Sequence, residues 1–241
     1  MALSVRTWQF YKQHVVKAGG RVEDDFTRIS HSEAQGFTMA LATLFMDRAQ
    51  FDATWSWTRA NLQRSDKLIS WAWQNGQVTD QNNATDGDLL IAWALLRAGH
   101  FFQQPSYTGE ALAIGRAIQQ KLIFNFDGLN LLKPGEFHAS QGGEPLLNLS
   151  YLVAPALVDL AHIDPGGAWR GLLDDGVTML RRNRFAHNLP ADWAALRPSL
   201  RPHGYSGQNP RFSYDACRIP LESGARRTRD LAGCGVRACA G

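Results

Sequence analysis

The sequence predicts an all-α protein, an α/α toroid in which helix pairs are joined by alternately tight and long connections. Three observations lead there. Apolar residues recur at helical spacing over most of the chain, and strand-like alternation is scarce. Connections alternate between very short ones and long ones carrying aromatic residues. One stretch, Leu89-Leu90-Ile91-Ala92-Trp93-Ala94-Leu95-Leu96, is apolar on nearly every side and so belongs to a helix inside the protein. No fixed-period repeat is visible, which argues against a solenoid.

The elements follow in chain order. A helix is expected over residues 5–17 and stops at Gly19-Gly20, before a polar loop over 21–31. Helices over 33–48 and 50–63 are separated by so short a turn that they must pack antiparallel. Residues 68–73 read as extended, and Asn75-Gly76 as a hairpin turn. The buried helix starts near Asp86, and another covers 107–122. Residues 123–148 read as loop and short strand, with turns at Asp127-Gly128 and Pro134-Gly135. Helices over 151–162 and 167–184 precede a Pro-rich loop over 188–212, and Ser213-Tyr214-Asp215 reads as a further helix start.

At 241 residues the chain is long enough for one well-cored domain, expected over residues 1–221. Its net charge of +3, without a Lys/Arg run in the first 220 residues, excludes a nucleic-acid partner. No apolar run reaches membrane-spanning length, so no membrane span is expected. The first twenty residues lack a signal-peptide core, so the chain reads as cytosolic or as the mature form of an exported protein. Cys217, Cys234 and Cys239 form no metal-binding or disulfide pattern, and the seven histidines are scattered, so neither metal nor organic cofactor is expected. Most of the eight Trp and twelve Phe belong to the core; a few suit a groove for the flat apolar faces of a sugar.

Three acids sit where loops turn into helices. Thr85 reads as an N-cap closed by Asp88, leaving Asp86 at the first helical position. Ser32 and Gln35 make a similar box around Glu33, and Ser213 caps a turn containing Asp215. The helix dipole favours acids at such positions in any protein. Together, though, with an aromatic hairpin nearby and no nucleophile or phosphate motif, they fit glycoside hydrolysis. That reaction needs one carboxyl protonated and one ionised.

Ser32-Glu33-Ala34-Gln35-Gly36-Phe37, Ala84-Thr85-Asp86-Gly87-Asp88 with the helix through Gly99, and Ser213-Tyr214-Asp215-Ala216-Cys217-Arg218 resemble, in order, glycoside hydrolase family 8. The resemblance covers about residues 5–220 and is nearest the endo-β-1,4-glucanases that accompany bacterial cellulose synthesis. It implies an (α/α)6 barrel and hydrolysis with inversion, Glu33 being the general acid, Asp215 the general base, and Asp86 the carboxylate that binds and distorts the sugar. An inverting pair stands roughly 6.5–9.5 Å apart. Trp71 and Trp73 match an aromatic Trp-x-Trp loop beside the groove, and in a strand they share a face; burial of one of the two in the core is the equal alternative. Tyr151, in Asn148-Leu149-Ser150-Tyr151, matches a segment reaching the reaction centre, with Leu149 in place of Pro. Arg218, three residues after Asp215, either orients that carboxylate or makes a structural ion pair.

The implied partner is a β-1,4-glucan chain, in association with the cellulose synthase complex and in a secreted or periplasmic setting. Chitosanase, lichenase or xylanase specificity is the alternative within the family. A non-catalytic glucan-binding or assembly protein is the alternative outside it. The likeness ends after Leu221. Glu222 to Gly241 holds four Arg, four Gly, four Ala, two Cys and no aromatic residue, which reads as a disordered tail from a shifted reading frame.

Overall fold

The computed structural model describes residues 4–137, 140–205 and 210–219, so Cys234, Cys239 and the whole 222–241 segment lie outside the described residues. Helix α1 (Val5–Val15) is capped by Ser4, whose hydroxyl accepts a hydrogen bond from the Thr7 amide. It ends two residues before the expected stop. Its one buried side chain, Trp8, stacks between Tyr11 and Phe45 and donates its indole N–H to Asp47 at 3.0 Å.

Helices α2 (Ser32–Leu44) and α3 (Arg48–Asn61) form the first pair. Met46, at φ 54°, makes the reversal between them, so α2 ends four residues earlier than its apolar pattern implied. Asp47 caps α3 by accepting from the Gln50 amide at 3.1 Å. Helices α4 (Thr85–Phe101) and α5 (Pro105–Lys121) form the second pair, and α6 (Ala154–Ile163) and α7 (Trp169–Arg182) the third. Within the second pair α4 is the buried member, as its composition required: Leu89, Ile91, Ala94 and Leu95 are fully enclosed. It packs on α2, α5 and α6, so the three pairs share one core.

Two close backbone approaches hold α2 and α4 parallel with their N-termini level. Gly36 faces Leu90 and Ile91, and Gly87 faces Ser32 and Glu33. A Cβ at residue 87 would lie 2.9 Å from Ser32 Cβ and 3.0 Å from the Glu33 amide nitrogen, with the Ser32 hydroxyl nearer still. Gly87→Ala is therefore expected to lower stability by about 1–3 kcal/mol, the cost of overpacking a tight contact. Chemical denaturation against the parent protein measures it. Because the clash is at the mouths of both helices, the variant should also lose activity in its folded fraction.

Three small sheets decorate this scaffold. Strands β1 (Ser30–His31), β2 (Ser70–Gln74) and β3 (Gln77–Asn83) form the first, with Asn75 and Gly76 at positive φ in the expected hairpin turn. Strands β4 (Ile123–Phe126) and β5 (Leu129–Leu132) pair through the Asp127-Gly128 turn. The third sheet joins β6 (Ser140–Gln141), β7 (Glu144–Leu147), β8 (Ala194–Arg197) and β9 (Arg201–Gly204) in that order. The Pro-rich loop expected over 188–212 thus contains a two-stranded hairpin. Pro202 sits in edge strand β9, where a missing N–H is tolerated. Among the described residues no helix is long and apolar enough to cross a membrane.

Candidate active site

The mouths of α2 and α4 bring Glu33 and Asp86 side by side, but not through the caps that the sequence implied. His31 and Ala84 occupy the N-cap positions, and neither side chain caps. Ser32 Oγ is buried with no hydrogen-bond partner. Gln35 turns away, accepting from the Val22 amide at 2.6 Å and donating to Thr58 Oγ1 at 2.6 Å. Thr85 donates its hydroxyl to the Lys133 carbonyl at 2.7 Å. Asp88 closes no box: it accepts from the Ile69 amide at 2.8 Å and from Asn83 Nδ2 at 2.7 Å, pinning both ends of the β2–β3 hairpin to α4. Gln35, Thr85 and Asp88 take other partners in place of the expected cap, because a buried polar group is costly to leave unpaired, whereas Ser32 Oγ has none.

Asp215 precedes a short 3-10 turn (Ala216–Arg218). The turn is anchored from outside, because Asp192 Oδ1 accepts from the amides of Ser213 at 2.9 Å and Ala216 at 2.7 Å. The expected Ser213 side-chain cap is replaced by this carboxylate. Arg218 then reaches from the same turn into the gap between the helix mouths. Its guanidinium bonds Glu33 Oε1, Asp86 Oδ2 at 3.2 Å, Asp215 Oδ1 at 2.8 Å and Ser150 Oγ at 3.0 Å. One side chain thereby gathers all three acids. It is both of the things the sequence allowed, an orienter of Asp215 and an ion pair.

Asn148 and Ser150 complete the ring. Asn148 Nδ2 donates to Asp215 Oδ2 at 2.9 Å, and Asn148 Oδ1 accepts from Ser150 Oγ at 2.7 Å. Both residues lie in the segment that pointed to Tyr151, but only the fold shows that they hold Asp215 and Arg218. Tyr151 stands over the cluster with its ring 5.9 Å from the Arg218 guanidinium carbon.

The electrostatics separate the acids. Asp86 is 2% exposed, and burial, reinforced by the charge of Glu33 and opposed by Arg218, raises its pKa to about 7. Burial also raises Glu33, with Asp215 adding to the shift and Arg218 opposing it. The Glu33 side chain keeps 33% exposure, so it faces the open side of the site while Asp86 forms its floor. Tyr151 is raised by burial and then by all three carboxylates, which keeps its hydroxyl protonated. Glu33 and Asp215 accept from opposite nitrogens of one guanidinium, so their nearest oxygens lie within about 8 Å, two hydrogen-bond lengths plus the group between them. That upper limit admits the roughly 6.5–9.5 Å separation of inverting pairs and the roughly 5–5.5 Å of retaining ones alike.

The two hairpin tryptophans part company. Trp71 is 38% exposed and tilts against His31 at 5.0 Å, two residues from Glu33. Trp73 is taken up in packing, edge-on to Trp57 at 5.4 Å and covered by the Arg21 guanidinium at 4.7 Å. Among the described residues no group of three His, Cys, Asp or Glu side chains is arranged to hold a metal ion. The acids are compensated by Arg218 instead.

Two carboxyl groups at the mouths of α2 and α4 and a third beside a short turn, next to an exposed tryptophan, match the residue types that the carboxylate class of glycosidases uses. The chain belongs to glycosyl hydrolases family 8, whose model matches residues 1–236. It is 39% identical over 221 residues to a probable endoglucanase of Novacetimonas hansenii, covering 89% of this chain and 65% of the relative. It is 36% identical to an endoglucanase of Cellulomonas uda, covering 89% of this chain and 61% of that one. The chain thus spans less than two thirds of these two relatives. The solved endo-beta-1,4-glucanase CMCax from Acetobacter xylinum superimposes with a TM-score of 0.86 at 39% identity, over 90% of this chain and 70% of that structure.

Proposed function

We propose that this chain carries the reaction centre of an endo-acting β-1,4-glucanase that inverts the anomeric carbon. The observation that supports it most is the single arginine drawing Glu33, Asp86 and Asp215 together from segments up to 185 residues apart. In this reading Glu33 gives its proton to the glycosidic oxygen as the C–O bond breaks. Asp215, held in place by Arg218 and Asn148, takes a proton from the water whose oxygen bonds the anomeric carbon. Asp86 grips the sugar from below, and Trp71 stacks on a neighbouring ring. The guanidinium lies between acid and base, where water and sugar must enter, so productive binding exchanges the Arg218–Glu33 contact for one between Glu33 and the glycosidic oxygen.

The three helix pairs are, by the same proposal, half of an (α/α)6 toroid. Work outside the cytoplasm beside a cellulose synthase complex extends the proposal on the motif resemblance alone. The test is to digest cellohexaose and follow the first products by proton NMR, with carboxymethylcellulose as the polymeric substrate. The α-anomer is expected first. Initial β-anomer would overturn Asp215 as a base acting on water. Binding without any new reducing ends would leave a glucan-binding protein.

A further inference from the structure

The aromatic residues around the acids do not stop at Trp71. Whereas Trp71 lies by Glu33, beside the Asp215 turn Tyr151 meets Trp193 edge-on at 6.0 Å, and Trp193 meets Tyr205 at 6.2 Å with 38° between the rings. Trp193 is half-buried and Tyr205 is 40% exposed, so this row leads from the acids outward to solvent. Its position is tied to the chemistry from both ends. Trp193 follows Asp192, the carboxylate that anchors the Asp215 turn, and precedes β8, which pairs with β7 just before Asn148. The row thus runs as neighbouring rings from beside Arg218 to an exposed tyrosine.

The geometry points to Trp193 and Tyr205 as a second sugar-binding platform, taking about two rings of a β-1,4-glucan beside the Asp215 turn. The inference rests on the proposed glucanase reading and deepens it, since a chain lying across both platforms presents an internal bond to Glu33 and Asp215. Stacking of an aromatic face on the apolar face of a pyranose needs no directional partner. Tyrosine suits the outer position because its ring offers apolar surface while its hydroxyl stays wet.

The test pairs kinetics with binding. Trp193→Ala and Tyr205→Ala are made in the full chain and assayed on cello-oligosaccharides from three to six units. KM should rise about tenfold on the hexamer, with a smaller rise on the trimer and kcat falling much less than KM rises. Trp193→Phe should restore most of the affinity, because it keeps a flat ring. A loss of kcat uniform across chain lengths would overturn the platform and leave Trp193 as packing for Tyr151. Cellohexaose binding, followed by calorimetry in the Glu33→Gln background, separates the two proposals. Weakened binding by Trp193→Ala in that background, with no turnover by the parent chain, keeps the platform and removes the glucanase. Turnover by the parent chain with unaltered binding does the reverse.

Discussion

Glu33→Gln is expected to cut the release of reducing ends from carboxymethylcellulose by about 10³-fold, while cellohexaose binding stays within a few-fold of the parent. The amide is nearly isosteric and its oxygen still accepts from Arg218, so the cluster keeps its shape and loses only the proton. The pH profile supplies an independent reading. Burial holds Glu33 above the ordinary carboxyl range, so it stays protonated to higher pH than a free glutamic acid and sets the alkaline limb of activity. In the Gln variant that limb should vanish from whatever turnover remains. Asp86 should titrate lower, because the Glu33 charge that helps to raise it is gone. Turnover unchanged in the variant would remove Glu33 from the acid role.

The sequence was most informative where local and tertiary demands agree. The α4 stretch is apolar on nearly every side because the helix is enclosed, and that needs no knowledge of its neighbours. The Asn75-Gly76 and Asp127-Gly128 turns were legible for the same reason, since positive φ is a local requirement. Capping was misread because it is a competition. Thr85 and Asp88 have the right chemistry for a box, but the Lys133 carbonyl, the Ile69 amide and Asn83 offer them buried partners that appear only once distant segments meet. Trp193 and Tyr205 carried no signal at all. They flank a hairpin whose pairing partner, β7, is 47 residues upstream of β8, in a segment read as loop and short strand with no pairing assigned. Arg218 lay between these cases: its link to Asp215 follows from i,i+3 spacing, whereas its reach to Glu33 and Asp86 depends on the turn that Asp192 fixes.

Arg218→Lys should lower kcat by about 10²-fold with little change in fold, because a point charge cannot span Glu33 and Asp215 as a planar fork does. Asp215 then loses the contact that aims it, although the positive charge remains nearby. Arg218→Met separates geometry from charge. Asp86 is raised to about 7 and Asp88 to about 8, both chiefly by burial, and Glu33 is raised as well. For groups raised on folding, the stability they contribute is fully present below the ordinary carboxyl value of about 4 and is lost as pH climbs through their folded values. Arg218 opposes the rise in Glu33 and Asp86 and so limits that loss. With methionine in its place the carboxyls must either stay protonated or carry buried, unpaired charge. The melting temperature of the Met variant should therefore approach that of the parent at pH 5 and fall well below it at pH 8, whereas the Lys variant should follow the parent at both. An equal deficit of the Met variant at the two pH values would show that Arg218 supports the site by packing alone.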